Sequence, residues 1–94
     1  MARDTGISRA WISTDIIYMW KEKENTIYRE FIFTSFHDAL VFVNKIGVLA
    51  EEIQHHPDIL LYDYKHVRVT LTTHDAEMVT DKDRALAQKI DEII

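Results

Sequence analysis

The sequence contains no cysteine, one proline and two glycines among its 94 residues. Without cysteine the chain can form neither a disulfide framework nor a zinc-thiolate site, and thiol catalysis is excluded. Two glycines cannot make a glycine-rich phosphate loop, and Gly6-Ile7-Ser8 lacks the second glycine of a serine-nucleophile elbow. No stretch approaches the roughly 18 apolar residues of a membrane span, and residues 1–10 lack the apolar core of a signal peptide. We therefore expect a soluble, cytoplasmic protein.

Positive charge is also scarce. The chain has 11 Lys and Arg against 16 Asp and Glu, which gives a formal net charge of -5, and the basic residues are scattered. A nucleic-acid surface needs clustered Lys and Arg to neutralise phosphates. We therefore expect neither a nucleic-acid partner nor a membrane partner.

The chain is short but rich in apolar residues. Its length predicts one domain, residues 1–94, and a chain of this size buries only about 60 to 65% of the surface that its unfolded form exposes. Hydrophobic residues make up 47% of the sequence. Part of that apolar surface is expected to be covered by further subunits, so the sequence favours a homo-oligomer.

Hydrophobic periodicity predicts a β-β-α-β-β-α order, preceded by a lead-in or a short stump of helix over residues 1–10 and anchored by Trp11. The first predicted elements are a hairpin of strands 16–20 and 26–33 around a polar loop at 21–25, and a long helix at about 35–55 that is capped by Thr34 or Ser35. Two further strands, 59–62 and 66–72, surround a turn at 63–65. The closing helix begins at a capping box from Thr80 to Asp83, and its apolar face consists of Leu86, Ile90 and Ile93.

The long helix has more apolar residues than one face requires. Phe36, Ala39, Val43, Ile46, Ala50 and Ile53 recur at helical spacing, and Leu40, Phe42, Val48 and Leu49 widen the apolar surface. One stripe is expected to face the sheet, and the surplus could face another subunit. Gly47 costs about 1 kcal/mol relative to alanine inside a helix, which predicts close packing at that position.

Three of the five histidines lie in two short segments, residues 51–57 and 72–75. Histidine can give or take a proton near neutrality because its unperturbed pKa is about 6.5. The cluster is therefore a candidate proton-transfer site. His37 and His66, the other two histidines, fit surface positions on a helix start and on a strand.

The first segment, Glu51-Glu52-Ile53-Gln54-His55-His56-Pro57, ends the long helix, because Pro57 cannot continue it. Residues four apart share a helix face, which predicts that Glu51 lies under His55 and Glu52 under His56. A neighbouring carboxylate fixes the tautomer of an imidazole, and a helix C-terminus favours its charged form. The same residues also fit a solvated, merely polar helix end, and the spacing leaves both interpretations open.

His74 follows the end of a predicted strand, in a loop where a rigid scaffold can present catalytic groups, although by itself it equally fits a surface histidine. Asp83 fits the capping-box position, where it would accept the amide of Thr80, and one carboxylate can serve both the cap and a site. A zinc site is a competing interpretation. Adjacent histidines rarely point at one ion and no histidine pair has i, i+4 spacing, so we expect no metal.

The residues of both segments form one ordered pattern: Glu51, three residues, His55-His56-Pro57, six residues, Tyr64, nine residues, His74, eight residues, Asp83. This pattern resembles the signature of the pterin-4a-carbinolamine dehydratases. Thr72 and Thr73 before His74 also look like that family, and the resemblance extends more weakly from Trp11 to the end of the chain.

The resemblance implies an α+β fold with a four-stranded antiparallel sheet and helices packed on one face, assembled as a dimer or a dimer of dimers. It implies that a 4a-hydroxytetrahydropterin loses water to give the quinonoid dihydropterin, a step of tetrahydrobiopterin recycling, without a metal or organic cofactor. His55 and His74 would be the acid-base pair, and His56 would hold the pterin and share in proton transfer. Glu51 would tune His55, Asp83 would position His74 or bond the pterin edge, and Tyr64 would belong to the same substrate-binding set.

An oligomerising interaction module is the alternative function. A member of the family that the sequence resembles also serves as a dimerisation cofactor for a homeodomain transcription factor, and the surplus apolar residues of the long helix would suit a protein partner. The set of His55, His56, His74 and Asp83 favours the enzyme, because an adaptor would not require it.

Overall fold

A computed structural model describes residues 20–94, which form four strands and two helices. These are β1 Lys21–Lys23, β2 Thr26–Ile32, α1 Phe36–Ile53, β3 Asp58–Tyr62, β4 His66–Leu71 and α2 Asp81–Glu92. The α+β architecture, an antiparallel sheet with both helices on one face, confirms the predicted fold and element order. The expected N-terminal helix, the Trp11 anchor and most of the strand at 16–20 lie outside the described residues.

The strand order β1-β2-β4-β3 brings two loops to one end of the sheet. β2 pairs with β4 from Ile27 opposite Leu71 to Ile32 opposite His66, and β3 forms a hairpin with β4 that starts at Asp58 opposite Thr70. The start of β3 and the end of β4 are therefore neighbours. Two loops consequently meet at the same end of the sheet. The loop after α1 carries two histidines, and the loop after β4 carries the third.

The core lies between the sheet and the helices. Along β4, buried Val67, Val69 and Leu71 alternate with more exposed side chains, as a strand with one face on the core requires. Phe31 and Phe42 cross the interface between sheet and helix with ring centroids 4.7 Å apart. The fully or almost fully buried apolar residues are Ile27, Phe31, Phe33, Ala39, Phe42, Ile46, Ala50, Val67, Val69, Leu71, Leu86, Ala87 and Ile90.

The long helix begins at the predicted cap, where the Ser35 side chain accepts the N–H of Asp38 at 3.1 Å. Its buried stripe is centred on Phe42 and Ile46, so Phe42 belongs to the core, while Phe36 at the helix start is 50% exposed. Within residues 20–94 of one chain nothing packs closely against Gly47, because a Cβ added there would meet no atom within 4 Å.

The first hairpin differs from the prediction at residues 21–25, which were expected to form its loop. Lys21–Lys23 form β1, which pairs with β2 from Lys21 opposite Tyr28 to Lys23 opposite Thr26. The connection is a two-residue turn in which Glu24 has a φ of 56°, and a positive φ at the first turn residue alone is typical of a type II′ turn. The polarity of these residues reflects an outer strand, where charged side chains protect unpaired backbone groups.

Asp91, in the last turn of α2, ties that helix to the sheet. Its Oδ1 accepts the indole N–H of Trp20 at 2.9 Å and a guanidinium N–H of Arg29 at 2.7 Å. Arg29 is nearly buried on the inner face of β2, with its guanidinium carbon 4.8 Å from the ring centroid of Phe31. Since hydrogen bonds between charged partners are the stronger ones, this contact stabilises the packing of β2 against α2.

Candidate active site

The helix α1 ends before the two adjacent histidines. Gln54 adopts the left-handed conformation with a φ of 53°, and its N–H donates to the carbonyls of Ala50 and Glu51. The N–H of His55 donates to the Ala50 carbonyl at 3.1 Å. Such bonds satisfy the last carbonyls of a helix and turn the chain away from its axis. His55 and His56 therefore project from the loop between α1 and β3.

Asp83 is a fully buried carboxylate in the first turn of α2. Its Oδ1 lies 2.6 Å from Nε2 of His55, and its Oδ2 accepts the Thr73 hydroxyl at 2.8 Å and the Thr80 N–H at 2.9 Å. Burial raises the pKa of Asp83, but the hydrogen bonds from His55, Thr80 and Thr73 and the charge of His55 outweigh burial and hold that pKa below its usual value. The carboxylate is therefore ionised wherever histidine titrates. The predicted capping box is confirmed, and the same carboxylate serves both the cap and the histidine.

The pair with Asp83 decides which nitrogen of His55 is available. An ionised carboxylate accepts hydrogen bonds and cannot donate one, so Nε2 of His55 carries the hydrogen in this contact. The His55 side chain is 11% exposed. Among the described residues Nδ1 has no hydrogen-bond partner, and it is not sealed off from solvent. Nδ1 is therefore the nitrogen through which His55 can exchange a proton with a bound molecule.

The carboxylates of α1 pair differently from the helical-spacing prediction. Glu51 contacts His56, with Oε2 2.6 Å from Nε2, and not His55. Both side chains are more than half exposed, so solvent screens this pair. The prediction of pairs four residues apart is wrong because the chain leaves the helix at Gln54, and Glu52 is exposed on the helix surface.

His74 lies on the exposed turn that follows β4. Thr73, the residue before it, forms a bridge with Met78, and the Thr73 carbonyl accepts the N–H of Glu77 at 2.8 Å. The structure records no side-chain hydrogen bond between His74 and Asp83 within residues 20–94. Asp83 contacts the residue before His74, because its carboxylate accepts the hydroxyl of Thr73.

Tyr64 is not brought to this site within the chain. It lies in the turn between β3 and β4, with a φ of 52° and a side chain that faces solvent. That turn follows the pair of Tyr62 with His66, whereas the candidate site adjoins the pair of Asp58 with Thr70. Four residues of strand separate the two ends, about 13 Å. The sequence spacing of Tyr64 therefore does not translate into proximity to the histidines.

The family model described as "Pterin 4 alpha carbinolamine dehydratase" matches residues 6–93. The chain belongs to the pterin-4a-carbinolamine dehydratase family. Its relatives include a protein of Sulfurisphaera tokodaii, named "Putative pterin-4-alpha-carbinolamine dehydratase", which is 47% identical over 80% of each chain. A protein of the same name from Chloroflexus aggregans is 49% identical over 78% of this chain and 77% of its own.

Two solved structures share the fold of this pterin-4a-carbinolamine dehydratase family member. One is described as a transcriptional coactivator/pterin dehydratase from Brucella melitensis, with 34% identity, a TM-score of 0.74 and coverage of 79% of this chain and 80% of that one. The other is a pterin dehydratase-like protein described as a RuBisCO assembly factor in the alpha-carboxysome. At 22% identity, a TM-score of 0.66 and coverage of 87% and 94%, it is similar in fold.

A largely apolar groove of about 740 Å³ borders the histidine loop of this family member. Its walls include Gly47 and Val48 of α1, together with Pro57 and Ile59, and His56 lies among the lining residues. Small-molecule sites commonly have volumes of about 300 to 1,000 Å³ and apolar walls with a few polar groups. The groove has such a volume, but it is shallow and open to solvent, and its lining does not include His55, His74 or Asp83.

Two threonines contact Asp83, and the sequence assigns a role to only one of them, Thr80 of the capping box. Thr73 and Thr80 both contact Asp83, and their hydroxyl oxygens are 2.6 Å apart. The capping box points to Thr80, but the hydroxyl of Thr73 reaches the carboxylate only through the packing of the post-β4 turn on α2.

Among residues 20–94, no helix is long and apolar enough to cross a membrane and no three acidic or histidine side chains are arranged to hold a metal ion.

Proposed function

We propose that this protein catalyses the loss of water from a 4a-hydroxytetrahydropterin, giving the quinonoid dihydropterin, as in tetrahydrobiopterin recycling. The observation that carries the proposal is the pair of His55 with a buried carboxylate, Asp83, in a chain of this family. A histidine in such a pair has one nitrogen fixed and the other available, which suits a group that must give or take a proton at a defined atom.

The reaction balances with water as its sole co-product. The bond between C4a and the hydroxyl oxygen breaks, one proton joins the departing hydroxyl, N5 loses one proton, and a double bond forms between C4a and N5. No electrons are exchanged with another molecule, so the step itself requires an acid and a base and no redox cofactor. Positioned acid and base groups each contribute typically about 10² to 10⁴-fold.

His55 and His74 are proposed as the acid-base pair. His55 exchanges its proton through Nδ1 because Nε2 faces Asp83 at 2.6 Å. His74 is exposed on the neighbouring turn and is available to a bound pterin. His56 lines the apolar groove and is proposed to hold the pterin ring, while Glu51 steadies that imidazole at 2.6 Å.

The test is stopped-flow absorbance of a freshly generated 4a-hydroxytetrahydropterin, followed without protein, with the wild-type protein and with the variants His55→Ala and His74→Ala. We expect the wild-type protein to accelerate the decay and each variant to lose about 10²-fold or more of that acceleration. His37→Ala is the matched control, since His37 is exposed at the opposite end of α1 from His55. It should retain wild-type activity.

No acceleration by the wild-type protein between mildly acidic and mildly basic pH would overturn the proposal for that pterin. Equal losses in His37→Ala and His55→Ala would overturn the assignment of the site. Circular dichroism of each variant separates a loss of chemistry from a loss of fold.

An oligomerising interaction module is the second candidate. Phe36 and Leu40 expose at least 40% of their surface along α1, and large exposed apolar residues are typical of surfaces that bind proteins. One similar structure carries the name transcriptional coactivator/pterin dehydratase. We propose that this α1 surface binds a second copy of the chain, which would give a dimer or a tetramer, or that it binds a different protein.

Light scattering after size-exclusion chromatography tests this second candidate with Leu40→Glu and the control Lys45→Glu, another exposed α1 position. A larger mass for wild type and Lys45→Glu than for Leu40→Glu would support the assembly. A wild-type mass equal to that of one chain would contradict it. If both the dehydratase activity and the assembly depend on Leu40, the two functions share one oligomer.

A further inference from the structure

Thr73 occupies a central position in the hydrogen-bond network around Asp83. Its hydroxyl lies 2.8 Å from Asp83 Oδ2 and 2.6 Å from the hydroxyl of Thr80. Its backbone is held as well, since its N–H donates to the Met78 carbonyl at 3.1 Å and its carbonyl accepts the N–H of Glu77 at 2.8 Å. The side chain is thus attached to the turn that carries His74 and to the carboxylate that contacts His55.

The direction of each hydrogen bond in this network follows from the number of protons available. The Asp83 carboxylate has no proton, so Thr73 must use its single hydroxyl proton to reach Oδ2. Thr73 then accepts from Thr80, whose hydroxyl oxygen also accepts the N–H of Lys82 at 3.3 Å. The bonds therefore run one way, from Thr80 to Thr73 to Asp83, and the carboxylate accepts His55 Nε2–H on its other oxygen.

We propose that Thr73 is a positioning residue that holds the Asp83 carboxylate in the orientation that presents Oδ1 to His55, so that His55 keeps its hydrogen on Nε2 and offers Nδ1 to the substrate. Asp83 is connected by a flexible side chain to α2, and its backbone does not determine the rotation of the carboxylate. Two donors on Oδ2, one from the Thr80 backbone and one from the Thr73 hydroxyl, determine it. The expected effect of Thr73 on catalysis rests on the proposed function. Its expected effect on the tautomer of His55 rests on the hydrogen-bond geometry alone.

A structural role and a positioning role make different predictions for substitutions of Thr73. Thr73→Val keeps nearly the same shape and removes the hydroxyl, whereas Thr73→Ser keeps the hydroxyl and removes a methyl group. If Thr73 only fills space, valine should be the better replacement. If Thr73 orients Asp83, serine should be the better replacement, because a lost hydrogen bond to a charged group costs more than a lost methyl group at a half-buried site. Thr72→Val is the matched control, since Thr72 donates at 2.7 Å to a backbone carbonyl, that of Asn25, away from Asp83.

The first measurement is the ¹⁵N spectrum of the histidine side chains, which reports the tautomer of His55 without reference to catalysis. We expect the wild type, Thr73→Ser and Thr72→Val to show His55 with hydrogen on Nε2 and an unprotonated Nδ1 when the ring is neutral. Thr73→Val should lose this fixed pattern, with exchange-broadened or mixed-tautomer signals. If valine does not fold, Thr73→Ala removes the same hydroxyl with less crowding and serves in its place.

The second measurement is the stopped-flow dehydration assay on the same four proteins. We expect Thr73→Val to lower kcat about ten-fold with little change in KM, and Thr73→Ser to stay within about two-fold of the wild type. A changed KM with an unchanged kcat would overturn the proposal, because it would place Thr73 in substrate binding. An unperturbed His55 tautomer in Thr73→Val would overturn it as well.

The two readouts separate this inference from the proposed function. A wild-type protein that does not accelerate dehydration, but whose His55 tautomer depends on the Thr73 hydroxyl, would refute the dehydratase and support the positioning role. An active wild-type protein whose Thr73→Val variant is equally active with the same tautomer would support the dehydratase and refute the role of Thr73.

Discussion

The imidazole of His55 and the carboxylate of Asp83 lie 2.6 Å apart although the two residues are 28 positions apart in the sequence. The contact joins the end of α1 to the start of α2, and both side chains are almost fully shielded from solvent. A carboxylate that already serves as part of a helix cap thereby also determines the hydrogen position on a histidine. Fold and candidate chemistry share one buried group.

Replacing Asp83 with asparagine should lower the dehydratase activity by about 10²-fold, because the amide is neutral and can also donate, so the hydrogen on His55 Nε2 is no longer fixed. The acceleration of 4a-hydroxytetrahydropterin decay measures the effect. Asp81→Asn, an exposed change in the same turn of α2, is the control and should be nearly neutral. Equal activity in Asp83→Asn and wild type would remove Asp83 from the site.

The stability of the protein should depend on Asp83 at acidic pH. Its pKa in the folded state is below the usual value, because hydrogen bonds from His55, Thr80 and Thr73 outweigh burial, whereas the unfolded chain has an ordinary aspartate pKa near 3.9. The unfolded state therefore binds more protons in this region, and folding is stabilised above that pH. The stabilisation is fully present above the unfolded pKa and is lost as pH falls through the folded one.

Urea unfolding of the wild type and Asp83→Asn between pH 5 and pH 2 tests this dependence. The wild type should lose free energy of unfolding more steeply than the variant as pH falls. Parallel curves would show that Asp83 has the same pKa in both states.

Asp91→Ala should destabilise the protein by about 2 kcal/mol, since it removes the hydrogen bonds from Trp20 and from the nearly buried Arg29. Thermal and urea unfolding measure the loss. Glu92→Ala, the next residue and exposed, is the control and should change the free energy of unfolding by less than about 0.5 kcal/mol. A neutral Asp91→Ala would mean that these bonds form equally well with water.

Gly47→Ala should stabilise the isolated chain by about 1 kcal/mol, because alanine is the better helix former and its Cβ would meet no atom within 4 Å. Urea unfolding at low protein concentration tests it, with Asn44→Ala, an exposed position one turn earlier in α1, for comparison. Loss of stability in Gly47→Ala would instead indicate that another subunit packs closely against this glycine.

Local sequence signals predict most of the secondary structure. The Ser35 cap, the Thr80 to Asp83 capping box and the alternation along β4 need only neighbours in the chain, and each is confirmed. The charged strand β1 is not predicted, because a short outer strand with exposed side chains has the composition of a loop. Apolar residues mark the buried face of an element, so a strand whose side chains are all exposed has no apolar pattern to predict it from.

The sequence predicts candidate residues for the site, but it does not predict how they pair. Spacing along a continuous helix predicts Glu51 beside His55, but the left-handed Gln54 rotates the following residues, so Glu51 contacts His56. The resemblance places Tyr64 in the substrate-binding set, and within one chain β3 carries it to the far end of the hairpin from the histidines. Spacing along a helix predicts contacts only as far as the helix continues.

Local interactions specify most of the elements and the residues available for chemistry, because helix caps, periodicity and the His55-His56-Pro57 stop depend on contacts within a few residues. Tertiary structure decided which of those residues meet. The contact of His55 with Asp83, and the place of Thr73 beside that carboxylate, exist because both helices pack on one face of the sheet and the loops after α1 and β4 meet at one edge. Such contacts depend on the packing of distant segments, and no local pattern in the chain encodes them.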